Sequence, residues 1–182
     1  MVYRIDETGL EEDWRRGPRA RRNILWPRDA LASKFMNPPD DKLTRGAGPV
    51  TTALEKLLEQ AREAASRSYS PYSGFKVGAA LLLTNGATVT GTNVENVSYG
   101  LTICAERSAL VGAVAQFGPE IQIEAVAVAN LNGGASPPCG ACRQVLAEFI
   151  LPEAPVVFPG ADGVCVMPFS AVLPLAFEMK LK

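Results

Sequence analysis

The chain has 182 residues, enough for one hydrophobic core, and its 47% hydrophobic and 20% charged residues are typical of a globular domain. Its formal net charge of -1 argues against a nucleic-acid partner, because nucleic-acid-binding proteins carry a positive field that attracts phosphates. The sequence contains no membrane-spanning apolar stretch and no secretory signal. We therefore expect a cytoplasmic protein that binds a small molecule and has no membrane partner.

Histidine is absent from the sequence. This absence excludes nucleophiles that are activated by histidine, and it excludes metal sites with histidine ligands. We therefore expect a carboxylate to act as any general acid or base. The four cysteines are the expected ligands of any transition metal, because a chain without a secretion signal rarely uses its cysteines in disulfides.

The first 50 residues differ in composition from the rest of the chain. They are rich in arginine and proline and show no sustained helical or strand period. We interpret residues 1–50 as a poorly structured N-terminal extension, and an organelle-targeting or partner-binding role for it stays open. Residues 51–182 are expected to form the folded domain.

The elements of this domain follow in chain order. Thr52 and Glu55 have the spacing of a capping box, which predicts a helix that runs to about Arg67. Strand-like runs at 75–83 and 88–94 are joined through Asn85-Gly86, which is a strong hairpin signal. Further elements are predicted as helices over 104–117 and 139–149 and as strands over 123–129, 156–158 and 164–167.

The alternation of helices and strands predicts the fold class. We expect an α/β fold in which a mixed β-sheet lies between two helical layers, as a three-layer α/β/α sandwich. Cys165 falls within the last predicted strand. We expect it to be a small, buried, apolar core residue there.

Three of the cysteines have the spacing of a metal site. Cys139 and Cys142 form a CxxC, which by itself fits a redox pair, half of a structural zinc site or part of a catalytic one. Cys104 lies at the start of another predicted helix, and Glu106 follows two residues later. Three thiolates would leave zinc one open position, which is typical of a catalytic site.

Helix starts and nearby arginines bear on the charge of such a site. The positive end of a helix dipole favours thiolate over thiol at Cys104 and in the CxxC. Three thiolates on zinc still carry an excess of negative charge, which a cation must offset. Arg107 and Arg143 are the candidates, since each is adjacent in sequence to a predicted site residue. For Arg107, an ion pair at the surface or at a subunit interface is the alternative.

Five stretches of the chain carry distinctive motifs, namely Ser70-Pro71-Tyr72-Ser73-Gly74-Phe75-Lys76-Val77-Gly78-Ala79-Ala80, Asn93-Val94-Glu95-Asn96, Tyr99, Cys104-Ala105-Glu106-Arg107 and Pro138-Cys139-Gly140-Ala141-Cys142-Arg143-Gln144. These motifs resemble those of the short-chain, tetrameric cytidine deaminases, over roughly residues 53–178. Their order and spacing both match the family.

The resemblance implies a cytidine deaminase-like fold and a zinc enzyme of pyrimidine salvage. It implies that Cys104, Cys139 and Cys142 bind Zn²⁺ and that Glu106 moves protons while water displaces ammonia from cytidine or deoxycytidine, which gives uridine or deoxyuridine. It also implies a homotetramer. The substrate-binding residues that it implies are Phe75, Asn93, Glu95, Tyr99, Ala105 and Phe177, the last from a neighbouring subunit.

Other readings of the same residues stay open. The protein could act on a related nucleoside or base, or it could be a noncatalytic zinc-binding or redox module. Without the motif, Phe75 would be read as a core residue and Asn93 as a turn residue at the end of a strand.

Overall fold

A computed structural model describes residues 50–177 of the chain. The extension expected over residues 1–50 lies outside the described residues except for Val50. None of the helices in the described part has the length and apolarity that a bilayer crossing requires.

Helix α1 (Thr52–Ala65) begins one residue away from the predicted cap. Thr51 is the N-cap, and its hydroxyl oxygen accepts a hydrogen bond from the N–H of Leu54 at 3.4 Å. The predicted capping box between Thr52 and Glu55 is therefore wrong. Thr51 and Thr52 are equally suited to cap a helix, so residue type alone does not show which of the two is the N-cap.

The strands form one mixed sheet with the order β2-β1-β3-β4-β5. Strands β3 and β4 are parallel, whereas the other neighbouring pairs are antiparallel. The predicted hairpin is confirmed, since β1 and β2 are consecutive and paired. The strands are β1 (Val77–Leu83), β2 (Thr88–Thr92), β3 (Ile123–Asn130), β4 (Pro155–Gly160) and β5 (Gly163–Pro168).

Two of the remaining helices follow directly after predicted metal ligands, since Cys104 and Cys139 are their N-caps. The remaining helices are α2 (Ala105–Phe117), α3 (Gly140–Leu146) and α4 (Phe169–Val172), with a 3₁₀ turn over Tyr99–Leu101. Helix α3 ends earlier than the predicted residue 149, because the chain turns after Leu146 and its N–H at Phe149 bonds back to the Leu146 carbonyl at 2.9 Å. Helix α4 was not predicted.

The two faces of the sheet bury different helices, as the predicted three-layer sandwich requires. Ala80 of β1 packs with α1 residues such as Leu57 on one face. Leu81, the next residue of β1, packs with Leu110 of α2 and Leu146 of α3 on the other. Successive side chains of a strand point to opposite faces, so one apolar strand supplies both cores. The predicted α/β/α fold class is confirmed.

Two glycines allow the helices to approach the sheet closely. A Cβ atom at Gly78 would lie 2.0 Å from the carbonyl oxygen of Ala61, and one at Gly91 would lie 2.3 Å from the backbone nitrogen of Ala109. Any side chain at either position would push a helix away from the sheet. Gly91 therefore helps to place α2, whose N-terminus carries Cys104 and Glu106.

Candidate active site

The three cysteines of the sequence motif come together where two helices begin. Cys104 is the N-cap of α2, Cys139 is the N-cap of α3, and Cys142 lies in the first turn of α3, fully buried. Sγ of Cys139 lies 3.8 Å from Sγ of Cys104 and 3.4 Å from Sγ of Cys142, and all three sulfurs lie within 4.8 Å of one another. Residues 35 positions apart in the sequence thus form one sulfur cluster.

This cluster fits a zinc ion. Two sulfurs bound to tetrahedral zinc at about 2.3 Å are separated by about 3.8 Å, close to the spacing found here. Three soft sulfur donors select zinc over the hard cations that prefer oxygen, and a fourth coordination position is left for water or substrate. Cys165 is not a member of the cluster. It lies in β5, where it packs against the core and partial burial raises the pKa of its thiol.

The electrostatics of the cluster favour a thiolate at Cys104. The neighbouring Cys142 thiol and the Arg107 guanidinium lower the pKa of Cys104 to about 5, against the opposing effect of burial. The same interaction with Cys104, together with burial, raises the pKa of Cys142. In a metal-free cluster these shifts favour the thiolate at Cys104, the sulfur next to the arginine.

Arg107 and Arg143 make different contacts. Nη2 of Arg107 donates to Sγ of Cys104 at 3.5 Å and to the carbonyl of Thr102 at 3.2 Å. Arg143 instead donates to two backbone carbonyls, those of Pro138 at 2.7 Å and Val172 at 3.2 Å. Arg143 thus anchors the loop that precedes the CxxC, and Arg107 is the arginine that contacts sulfur.

Glu106 is buried, with 4% of its surface exposed. Burial is the main reason why the pKa of its carboxyl is raised, and the negative charge of Cys104 adds to the effect. A raised pKa allows a carboxyl to hold a proton closer to neutral pH, which suits a general acid and base. A solvated first-turn carboxylate would lack both properties.

A cavity of about 320 Å³ opens beside the sulfur cluster. This volume lies in the range of small-molecule sites. Four predicted site residues line it in addition to two of the three cysteines, namely Phe75, Asn93, Ala105 and Glu106. The cavity is also lined by Val77, Cys104, Val128, Ala135, Ser136, Pro137 and Cys139.

Asn93 has a structural function as well as a place in the cavity wall. Its Nδ2 donates to the carbonyl of Phe75 at 2.8 Å, and its Oδ1 accepts from the N–H of Val77, also at 2.8 Å, and from the hydroxyl of Ser68. These contacts replace strand pairing at Phe75, which explains why β1 begins at Val77 and not at the predicted residue 75. Among residues 50–177, the second N–H of this amide has no acceptor and is left for a ligand.

Glu95 and Tyr99 lie outside the cavity lining but are linked to it. The Glu95 carboxylate accepts from the N–H of Tyr72 at 2.9 Å and from the N–H and hydroxyl of Ser73. The hydrogen bond from the Ser73 hydroxyl lowers the pKa of Glu95. Oγ of Ser73 also accepts a hydrogen bond from the N–H of Phe75 at 2.9 Å, which links Glu95 to the cavity wall. Tyr99 is 78% exposed and packs edge-on against Tyr72, with ring centroids 6.4 Å apart.

Phe177 does not reach the cavity of its own chain. Its side chain is 75% exposed, and its backbone N–H and carbonyl both bond to the side-chain amide of Gln144. These two bonds hold the backbone of Phe177 against α3, and its aromatic ring is left exposed to solvent.

Three polar residues near the cavity had no predicted role. Asn130, Asn132 and Ser136 lie between the predicted strand over 123–129 and the predicted helix over 139–149. The sequence signal for Asn130 and Asn132 was their position, two residues apart at the end of an apolar strand. Asparagine side chains in such places often bond to nearby backbone groups.

Comparisons with known proteins agree with this fold and site. Residues 51–158 match the sequence profile of the "cytidine and deoxycytidylate deaminase zinc-binding region". A cytidine deaminase of Halalkalibacterium halodurans is 42% identical over 124 residues, which cover 68% of this chain and 92% of that protein. A cytidine deaminase of Mycobacterium tuberculosis is 52% identical over 92 residues, which cover 50% of this chain and 68% of that protein.

Solved structures show the same similarity. The crystal structure of cytidine deaminase from Burkholderia pseudomallei superposes with a TM-score of 0.61 at 45% identity, covering 68% of this chain and 98% of that one. The structure from Mycobacterium tuberculosis gives a TM-score of 0.61 at 38% identity, covering 71% and 100%. The chain therefore belongs to the cytidine and deoxycytidylate deaminase family. It is a hydrolytic deaminase with a cytidine deaminase-like fold, and its metal is zinc.

Proposed function

We propose that this protein catalyses the hydrolytic deamination of the free nucleosides cytidine and deoxycytidine, giving uridine or deoxyuridine and ammonia. One observation carries the proposal: two residues of the three-sulfur cluster, Cys104 and Cys139, line the same cavity as a buried glutamate, and this cavity has the size of a small-molecule site. A noncatalytic zinc module would account for the sulfurs but not for the carboxyl buried beside them.

The chain's own residues have distinct parts in this reaction. Cys104, Cys139 and Cys142 would hold the zinc, and the metal would supply Lewis acidity that makes a water molecule acidic near neutral pH. Glu106 accepts a proton from that water and delivers it to N3 of the pyrimidine as the water oxygen adds to C4. Glu106 then takes the remaining proton from the added oxygen and gives it to the amino group, so that the C4–N bond breaks, ammonia leaves and the C4 carbonyl of uridine forms.

Residues of the cavity and its rim orient the nucleoside. Phe75 packs against the pyrimidine, and Ala105 lies beside it at the start of α2. The amide of Asn93 and the carboxylate of Glu95 bond the ribose hydroxyls, and Tyr99 lines the sugar end. A fixed carboxylate at that end disfavours a phosphate group, which supports a nucleoside in preference to a nucleotide.

Zinc analysis combined with a panel of substrates tests this proposal. Zinc-loaded protein is assayed by ultraviolet absorbance and ammonia release with cytidine, deoxycytidine, cytosine, deoxycytidylate and a cytosine-containing oligonucleotide. We expect turnover of the two nucleosides with one ammonia released per product. Turnover of only another substrate would identify a related deaminase, and stoichiometric zinc without any turnover would identify a noncatalytic module.

We also infer that the protein is a homotetramer in which Phe177 contributes to a neighbouring active site. The stretch 97–103 supports this inference, because Val97, Tyr99 and Leu101 expose 76%, 78% and 65% of their surface. Phe177 and Leu175 are similarly exposed. Apolar patches of this kind mark contact surfaces. Light scattering should give four times the chain mass of 19.4 kDa, and a monomer would contradict the inference.

The domain division stays a proposal too: residues 1–50 are an extension and residues 51–182 are the catalytic domain. It is supported by the family match, which begins at residue 51. A variant without residues 1–48 should keep its nucleoside turnover, and an insoluble or inactive variant would show that the extension belongs to the fold. The cytoplasmic location expected from the sequence also remains a prediction.

A further inference from the structure

Two irregular segments line the cavity, and the distance between them sets its width. One is the Phe75 segment, residues 70–76, and the other is the Ser136 segment, residues 131–138. They approach closely, since a Cβ atom at Gly134 would lie 3.9 Å from the ring of Phe75. Neither segment contains a helix or a strand. Where the segments leave β3 and β1, the N–H of Leu131 bonds to the carbonyl of Lys76 at 3.1 Å. Beyond that bond, side-chain contacts link the two segments.

The side chain of Asn132 supplies such contacts. Its Oδ1 accepts a hydrogen bond from the N–H of Lys76 at 2.8 Å, and its Nδ2 donates to the carbonyl of Gly74 at 3.2 Å. These two partners are the residues on either side of Phe75. Asn132 thus spans the two segments and holds the backbone of Phe75 from both sides.

Asn130 places Asn132 and the rest of the Ser136 segment. It is the last residue of β3 and is 9% exposed. Its Nδ2 donates to the carbonyl of Gly134 at 2.6 Å and to Oγ of Ser136 at 2.8 Å, while its Oδ1 accepts from the N–H of Asn132 at 2.9 Å. One buried amide at the end of a core strand therefore fixes three points of the segment.

The two asparagines form a continuous connection from the core of the sheet to the cavity. The connection begins at β3, passes through Asn130 to Asn132, and ends at the backbone around Phe75. A binding site whose walls are held in place before the ligand arrives does not have to order them on binding, and this lowers the cost of association.

We propose that Asn130 and Asn132 are positioning residues for nucleoside binding, which hold Phe75 and the Ser136 segment at the separation that the pyrimidine needs. They act through Phe75 and the segment, and not on the reacting atoms. This inference rests on the proposed function, because it takes a pyrimidine nucleoside as the ligand of the cavity.

The proposal predicts a change in binding without a change in chemistry. Asn132→Ala removes two hydrogen bonds, and we expect KM for cytidine to rise roughly tenfold, the ratio that corresponds to about 1.4 kcal/mol. The dissociation constant of uridine, measured by calorimetry, should rise by a similar factor. We expect kcat to stay within about twofold, because Glu106 and the sulfur cluster are untouched.

Three further variants make the test specific. Asn132→Asp keeps the acceptor for Lys76 and loses the donor to Gly74, so its KM should lie between those of the parent and Asn132→Ala. Asn130→Ala should raise KM at least as much as Asn132→Ala. Asn85→Ala is the matched control: it removes a side-chain bond to the N–H of Ala87, in the hairpin turn at the other end of β1, and KM should not change.

Measuring KM, kcat, uridine affinity, zinc content and Tm for the full-length zinc-loaded variants decides the matter. A rise in KM and in the uridine dissociation constant, with kcat, zinc and Tm close to the parent values, supports the proposal. A KM for Asn132→Ala within twofold of that for Asn85→Ala overturns it, as does a drop in Tm without any change in KM. A parent that does not deaminate cytidine would overturn the proposed function first, and this inference with it.

Discussion

Nη2 of Arg107 donates a hydrogen bond to Sγ of Cys104 across 3.5 Å, so a fixed positive charge touches one sulfur of the cluster. The contact helps to keep the pKa of that thiol near 5. It also draws electron density from a sulfur that would otherwise donate it fully to zinc. A metal surrounded by three thiolates needs this compensation to remain an effective Lewis acid.

Replacing Arg107 by glutamine should therefore slow catalysis without loss of metal. We expect kcat to fall roughly 10- to 100-fold, the range for loss of a hydrogen bond to a charged group, and the pH–rate profile to move to higher pH. The upward direction follows because uncompensated thiolates make the bound metal a weaker Lewis acid. The measurement is kcat against pH together with zinc content.

A matched control for this variant is Arg62→Gln. Arg62 forms an exposed ion pair with Glu59 on α1 at 3.1 Å, and such pairs contribute little. Its profile should equal that of the parent. If the profile of Arg107→Gln also stayed unchanged at full zinc occupancy, charge compensation by Arg107 would be rejected.

The ligand assignment predicts different outcomes for two cysteines. Cys142→Ser should lose most of the zinc, since serine has nearly the same shape but is a poor ligand for this metal. Cys165→Ser should retain about one zinc per chain, because Cys165 lies outside the sulfur cluster. Metal analysis of both purified variants checks this, and the reverse pattern would show that the ligands are misassigned.

The hydroxyl of Ser73 is expected to control the ionisation of Glu95. Ser73→Ala should raise the pKa of the Glu95 carboxyl toward its ordinary value of 4.5, because the largest stabilising contact of the carboxylate is removed. The lowered pKa in the parent means that these hydrogen bonds stabilise the fold above about pH 4.5, and that their contribution is lost as the pH falls through the folded-state pKa.

Titration of the Glu95 carboxyl by ¹³C NMR measures this shift directly. Ser73→Thr keeps a hydroxyl at the same position and should leave the pKa low. Equal pKa values in all three proteins would mean that the backbone N–H groups of Tyr72 and Ser73, and not the hydroxyl, stabilise the carboxylate.

Much of the fold could be predicted because its signals are local. The Asn85-Gly86 turn, the apolar runs of the strands and the cysteine spacing each lie within a few residues, and the hairpin and the mixed sheet follow from them. Element ends were less accurate. Thr51 and Thr52 are both good caps, and side-chain bonds from Asn93 replace the strand that was expected at Phe75.

The parts of the site that were missed depend on contacts between distant residues. Asn132 bonds to Lys76, 56 positions earlier in the chain, and nothing in the local sequence indicates this partner. From the sequence, Arg107 and Arg143 were equal candidates for offsetting the charge of the thiolates, because each directly follows a predicted site residue. Arg143 bonds instead to the carbonyl of Val172, 29 positions later in the chain, and nothing in the local sequence indicates this acceptor.

Glu106→Gln tests the central claim, that a buried carboxyl beside a three-sulfur zinc site performs the proton transfers of cytidine deamination. Glutamine keeps the size of the side chain but cannot exchange a proton, and general acid and base catalysis is worth roughly 10²- to 10⁴-fold. Glu124→Gln, an exposed position on β3, is the control and should behave as the parent does. At equal zinc content and Tm, we expect Glu106→Gln to lose at least about 100-fold in kcat for cytidine, whereas activity within about tenfold of the parent would contradict the account.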